Sequence, residues 1–188
     1  LRENSLVKEF KIDPIDVIRV MSLIDQEVNK EENFTVQLKY IKNYMDEFMV
    51  QSILKPKFEA ACKAMNESLS HLKSNQGLIS KKWIPRNPVL IVFAATWYFI
   101  QKKDRRFTGS LIANLERWYW NNNLSKRFDG STITPISEEF TSLLDWFDNP
   151  KDIPESITDF VMAKKMKDIY KVNAQYRSIK CLLIKNGI

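Results

Sequence analysis

Apolar residues recur along most of this chain at spacings of three and four, and in one stretch they scarcely pause. From Val89 to Ile100 only Thr96 interrupts Val-Leu-Ile-Val-Phe-Ala-Ala, then Trp-Tyr-Phe-Ile. A helix that is apolar on every side must be covered on every side, so the run predicts a central helix ringed by amphipathic neighbours. It falls short of the about 20 apolar residues that a bilayer span needs. Asn87 reads as its cap and Pro88 as its first helical residue.

The neighbours carry their own punctuation. Asp13-Pro14-Ile15-Asp16 predicts a helix start, and Val17, Met21, Ile24 and Val28 form one stripe on a helix ending near Lys30. Phe34, Leu38, Ile41, Met45, Phe48 and Ser52 trace a second helix, stopped before Pro56 because a residue preceding proline disfavours the helical region. The third has the cleanest period, through Phe58, Ala61, Cys62, Met65, Leu69 and Leu72, with Gly77 at its end. Beyond the central helix, Thr108 reads as the cap of a fifth through Leu111, Ile112, Leu115, Trp118 and Tyr119 to Asn123. Thr134 and Pro135 open a sixth, with Ile136, Phe140, Leu143, Leu144 and Phe147 inward. Ser156 and Asp159 suit a capping box for a seventh through Phe160, Val161, Met166 and Ile169. Asn173 caps the last, with Tyr176, Ile179, Leu182 and Leu183 inward and Asn186-Gly187 at its end.

The expectation is therefore all-α: an orthogonal bundle of seven or eight helices in a single domain. Residues 1–12 form an extended lead-in, 13–150 the main bundle and 151–188 a C-terminal helical hairpin. Apolar residues at 44% and charged residues at 28% of 188 give a globular balance that argues against disorder. Cys62 and Cys181, distant in sequence and on apolar faces, read as small buried hydrophobes. With no run of membrane length, the chain reads as cytoplasmic and without a membrane partner; it begins at Leu1 and reads as an excised piece of a longer protein.

Candidate chemistry changes this picture little. His71 is the only histidine, which rules out a two-histidine zinc site, and its place beside the third stripe favours a structural role. The four glycines never cluster, so no phosphate-cradling loop or dinucleotide fingerprint is available. Glu138 and Glu139 are adjacent and point to different sides of a helix. Asp145 and Asp148 sit near a helix end, where a solvated face accounts for them. No catalytic set and no cofactor or metal site is read in the chain itself.

A net charge of +6 permits a polyanion partner, although a solvated lysine face gives the same number. Basic and aromatic residues do interleave from Lys102 to Phe128. Arginines position phosphates and exposed aromatics stack on bases, so Arg105, Arg106, Arg117, Trp120, Lys126 and Arg127 are the candidate nucleic-acid contacts. In the alternative, Trp118 and Tyr119 pack inward, Trp120 props the turn and Arg117 pairs with a carboxylate to hold two helices.

Glu116-Arg117-Trp118-Tyr119-Trp120, then Leu124-Ser125-Lys126-Arg127-Phe128-Asp129-Gly130-Ser131 and the helix through Glu138, Glu139, Phe140 and Leu144, resembles the helical region of the GmrSD-type modification-dependent restriction proteins. There an Arg-aromatic-aromatic-Trp helix leads to a Ser-x-Arg-Tyr-Ser-like turn; here Phe128 and Asp129 replace the tyrosine and the small polar residue. Phe58-Glu59-Ala60 and Tyr176-Arg177-Ser178-Ile179 to Asn186-Gly187 agree in order and spacing, so the resemblance spans roughly residues 58–188. It implies a multi-domain phage-defence protein with a ParB/sulfiredoxin-like NTPase domain, a helical middle and an HNH-type nuclease that cuts modified DNA. The Asp-Gly-Gln-Gln-Arg and HNH motifs are not in these residues. The expectation is a non-catalytic scaffold whose partners are flanking NTPase and nuclease domains of the same polypeptide, any nucleotide or divalent metal belonging to those domains. A DNA-contacting module through residues 102–128, or an unrelated small helical enzyme near Glu138 and Asp145, are the alternatives.

Overall fold

The computed structural model describes residues 5–30, 36–37, 51–103, 105–129, 133–159 and 173–188. Every regular element among them is helical: α1 (Ser5–Glu9), α2 (Pro14–Asn29), α3 (Gln51–Asn75), a 3-10 turn (Lys81–Trp83), α4 (Asn87–Ile100), α5 (Arg105–Leu124), α6 (Ile133–Asp148), α7 (Glu155–Thr158) and α8 (Ala174–Lys185). The predicted second helix falls largely on 34–50, outside the described residues apart from 36–37; of these, Val36 belongs to the core.

Helix α4 is the rod around which the others pack. Val89 through Trp97 and Ile100 are buried, and α2, α3, α5 and α6 all lie against it. Each fully buried Val, Leu, Ile or Phe contributes about 1.5–3 kcal/mol relative to exposure, so this one helix is a major source of apolar stabilisation. Its start differs from the expected one. Arg86 occupies the cap position without a side-chain capping bond, and the Asn87 amide donates to Asp16 Oδ2 at 3.1 Å. Asp16 is a buried carboxylate in the first turn of α2 that also accepts from Arg19 at 3.0 Å. Burial pushes its pKa up despite Arg19. The Asn87 amide thus ties α2 to α4, and that demand outweighs capping.

Elsewhere packing also overrides local signals. The lead-in is helical at Ser5–Glu9 because Val7 and Phe10, three apart, are buried, with α1 against α3, where Asn66 Oδ1 accepts from the Leu6 N–H at 3.1 Å. Pro56 does not end a helix: α3 runs through it. The proline is exposed near the start of the described helix, while Leu54 and Phe58 on either side pack against the core. Burial on that face offsets one missing N–H bond. Thr108 lies inside α5, which opens at Arg105, and the Ser156–Asp159 capping box does not form. Ser156 Oγ donates to Glu139 instead, and only Glu155–Thr158 of the predicted seventh helix is described.

Helix α8 keeps its predicted ends but not its predicted face. Asn173 Oδ1 accepts from the Tyr176 N–H at 2.8 Å. At the other end Gly187, at φ +74°, and Ile188 donate to Ile184 and Leu183 carbonyls, each at 3.0 Å, closing the helix in a Schellman turn. Inward, however, are Gln175, Ser178 and Cys181, not Tyr176, Ile179, Leu182 and Leu183, and Leu183 is 41% exposed. The reason is what α8 packs on. Residues 77–84 run antiparallel along it: Gly77 against Cys181 and Lys185, the Trp83 carbonyl near Cys181 Sγ at 3.6 Å, and the Ile84 carbonyl accepting from Arg177 at 3.1 Å. Backbone approaching so closely needs small inward residues. Both cysteines are buried and free, and burial pushes the Cys181 thiol up to about 11.

Gly77 carries this contact at φ +70°, and a Cβ there would meet the Cys181 carbonyl oxygen at 2.1 Å. Gly77→Ala should therefore lower unfolding stability by at least about 2 kcal/mol. Gly109, in α5 with nothing within 4 Å, should gain roughly 0.5–1 kcal/mol on the same substitution. Urea unfolding of the two variants measures both, and equal shifts would refute the close α8 packing.

Candidate nucleic-acid interface

The basic-aromatic segment takes in the turn after α4, the whole of α5 and the turn that follows. Helix α5 buries Leu111, Leu115, Trp118 and Tyr119. With two adjacent rings turned inward, the flanking residues Glu116 and Trp120 are left to reach sideways, and each finds a different part of the bundle. Glu116 Oε1 lies 2.7 Å from His71 Nε2 on α3, and Asn75 Nδ2 is 3.2 Å from His71 Nδ1. With Asn75 Nδ2 as a donor, Nδ1 is left to accept and Nε2 to donate to Glu116. The imidazole also packs on Trp97, 4.8 Å between ring centres. His71 is thus a structural tie.

Trp118 is fully buried and its Nε1 donates to Glu139 Oε2 on α6 at 2.7 Å. Tyr119 meets Phe93 of α4 edge to face at 5.4 Å, and burial drives its phenol pKa far up. Trp120 Nε1 donates to Gln76 Oε1 at 2.9 Å, past the end of α3, and its ring stands edge-on to Tyr119. Asn122 and Asn123 donate back to the Trp118 and Tyr119 carbonyls at 3.1 and 3.0 Å.

The turn after α5 is held just as firmly. Arg127 Nε donates to Glu139 Oε1 at 2.9 Å and its Nη2 reaches Glu138 Oε2. Burial opposes the guanidinium charge, but the two carboxylates raise its pKa overall. Glu138 and Glu139 do diverge, exposed and buried, yet one guanidinium spans both. Glu139, 3% exposed, accepts from Trp118, Arg127 and Ser156 Oγ, joining α5, the turn, α6 and α7. Phe128 is buried, and Asp129 receives Arg86 Nη1 at 2.6 Å.

Of the predicted contacts, then, Trp120 and Arg127 are engaged in the bundle, whereas Arg117 and Lys126 are exposed. Arg105 and Arg106 begin α5, and their side chains lie outside the described residues. The carboxylate partner expected for Arg117 belongs instead to Arg127. Sequence reasoning did not single out Glu139 as a hub, nor Gln76 and Arg86. The nearest signal was Glu139 falling on the same face as Ile136, Phe140 and Leu143, where a carboxylate must be satisfied internally.

Near the other flagged acids, Asp145 is exposed, with its pKa raised by partial burial and by Asp152, Asp148 and Glu27. An open groove of about 360 Å³ beside it is lined by Glu27, Lys30, Phe99, Lys103, Phe147 and Asp148; its charges pair as Lys30 with Glu27 and Lys103 with Asp148. Among the described residues no group of three or more His, Cys, Asp or Glu is arranged to hold a metal ion, and no helix is long and apolar enough to cross a membrane.

Trp118→Phe and Glu139→Gln should each destabilise by about 1–3 kcal/mol, since each leaves a buried polar group short of a partner. In the double variant the losses should fall short of their sum by at least about 0.5 kcal/mol. Chemical denaturation of the four proteins in the cycle reads this, and strict additivity would eliminate the bond as a stabilising tie.

No family model, curated protein or solved structure matches this chain.

Proposed function

We propose that this chain is a non-catalytic helical framework of a GmrSD-like phage-defence restriction protein acting on modified DNA, holding flanking NTPase and nuclease domains of the same polypeptide in register. One observation carries the reading. In the motif from Glu116 to Trp120, four of five side chains reach four different parts of the bundle: α3 through His71, α6 through Glu139, α4 through Phe93 and the loop after α3 through Gln76. Residues spent on joining helices are not presented to a substrate. The motif that carries the family resemblance is therefore accounted for by assembly of the frame, and a rigid frame is what domains acting in concert on one DNA need between them.

Contact with DNA through residues 102–128 is the second reading, supported by the exposed Arg117 and Lys126. It is the weaker of the two because Arg127, Trp120 and Lys103 are occupied by internal partners.

Purified chain incubated with ATP or GTP, Mg²⁺ and base-modified duplex DNA should release no phosphate and cut no strand above a motif-free control. Reproducible turnover would overturn the framework reading. Within the intact polypeptide, Trp118→Phe should reduce phage protection in step with loss of folded protein, although it touches neither active domain. Undiminished protection from a polypeptide whose helical region has unfolded would count equally against it.

A further inference from the structure

The charge of this chain is unevenly placed. Between Gln76 and Ile100, and again between Asn173 and Ile188, there is no Asp or Glu, while Lys81, Lys82, Arg86, Arg177, Lys180 and Lys185 all fall there. These two sequence-distant stretches pack on each other as residues 77–84 and α8. Lys180 Nζ sits 4.7 Å from the Trp83 ring centre and 5.2 Å from that of Tyr176, which holds the cation at the seam. Lys82 is exposed, and neither it nor Lys180 is paired with a carboxylate among the described residues.

Apolar exposure gathers in the same place. Of the six large hydrophobic residues exposed among those described, four lie on this ribbon: Ile79 at 46%, Leu183 at 41%, Ile184 at 36% and Ile188 at 83%. The Schellman turn brings Ile188 back toward Leu183.

We propose that the outward face of α8, together with residues 77–84, docks an acidic protein helix with an apolar stripe. The charge selects the sign of the partner, and the aliphatic side chains select its kind. A nucleic-acid backbone would meet the lysines but offers nothing to cover the aliphatics. An anionic bilayer takes up side chains that project, as Ile188 does, whereas Ile79, Leu183 and Ile184 are each still more than half covered and must be met by a surface pressed close. A leucine-striped helix flanked by carboxylates satisfies both demands, its apolar stripe on α8 and its acids toward Lys82 and Lys180. At 1.5 Å per residue, the 12-residue α8 presents roughly 18 Å of length, about three turns of a partner helix. The proposal deepens the framework reading by giving the chemistry of what the frame holds.

The probe is a fluorescently labelled helical peptide with leucines at i, i+3, i+4 and i+7 and glutamates flanking them, followed by anisotropy. It should bind, weaken as salt rises, and lose at least about tenfold in affinity in Leu183→Ser/Ile184→Ser and again in Lys82→Glu/Lys180→Glu. Lys82→Glu alone, on an exposed side chain with no role in packing, should weaken binding about threefold. Lys63→Glu/Lys102→Glu, with the same charge change on the α3–α4 side, should shift it less than about twofold. Equal loss in that control, or no binding of the peptide, overturns the proposal. So does transfer of the effect to duplex DNA or to phosphatidylserine vesicles, with either ligand sensitive to the α8 variants and the peptide indifferent. Failure here leaves the framework reading standing, since that reading falls by catalytic turnover and not by loss of this contact.

Discussion

A helix with no polar side cannot rest on a surface; it has to be enclosed. That requirement on α4 dictates much of what surrounds it. Two of its own rings, Phe93 and Trp97, lie against each other and against His71 of α3, so even the one histidine is drawn into the wall. Enclosure also explains why the polar ties cluster at the periphery of the rod. The Asp16–Asn87 bond anchors its beginning, and the Glu139 network secures two of the helices that close around it.

The hydrophobic term sets compactness but not arrangement, because apolar contacts have no direction. Direction here comes from a few buried hydrogen bonds. Glu139 is the clearest: three donors from three separate parts of the chain converge on its two oxygens. Leaving such a carboxylate unpaired in the interior would cost several kcal/mol. Alternative packings of the same greasy faces would do that, so the network discriminates between them even where its net contribution to stability is modest. The same reasoning applies to Trp120 and Lys185, which both donate to Gln76 and so join α5 and α8 to the end of α3.

How much of this could be read from the residues follows from the range of each signal. Periodicity is local and strong, so the stripes of α3 and α6 and the all-apolar α4 were legible, as were the Asp13 and Asn173 caps. Signals that pit local preference against packing misled. Pro56 looked like a stop and Asn87 like a cap, because neither Leu54 and Phe58 at the core nor Asp16 across the bundle is visible in a local window. The interface candidates were ambiguous for a similar reason: a row of arginines and rings has the same appearance whether its partners are phosphates or the carboxylates of the next helix. Arg127 was ambiguous until Glu138 and Glu139 were brought beside it.

The register of α8 shows how one local constraint redistributes surface chemistry. Its neighbour is not a helix with side chains to interdigitate but the backbone around Gly77 and Trp83. Ser178 and Cys181 are small enough to face such a ribbon, and so the helix turns by about one residue, or roughly 100°, from the face that hydrophobicity would choose. That rotation moves Leu183 to the outside beside Ile184, onto the side where Lys180 already sits against Trp83. A buried close approach thereby produces an exposed face that is both apolar and cationic. Increasing the polarity of Leu183 would leave the inner contact unaffected, which is why the two sides of this one helix can serve different ends: cohesion of the frame within, and selection of a partner without.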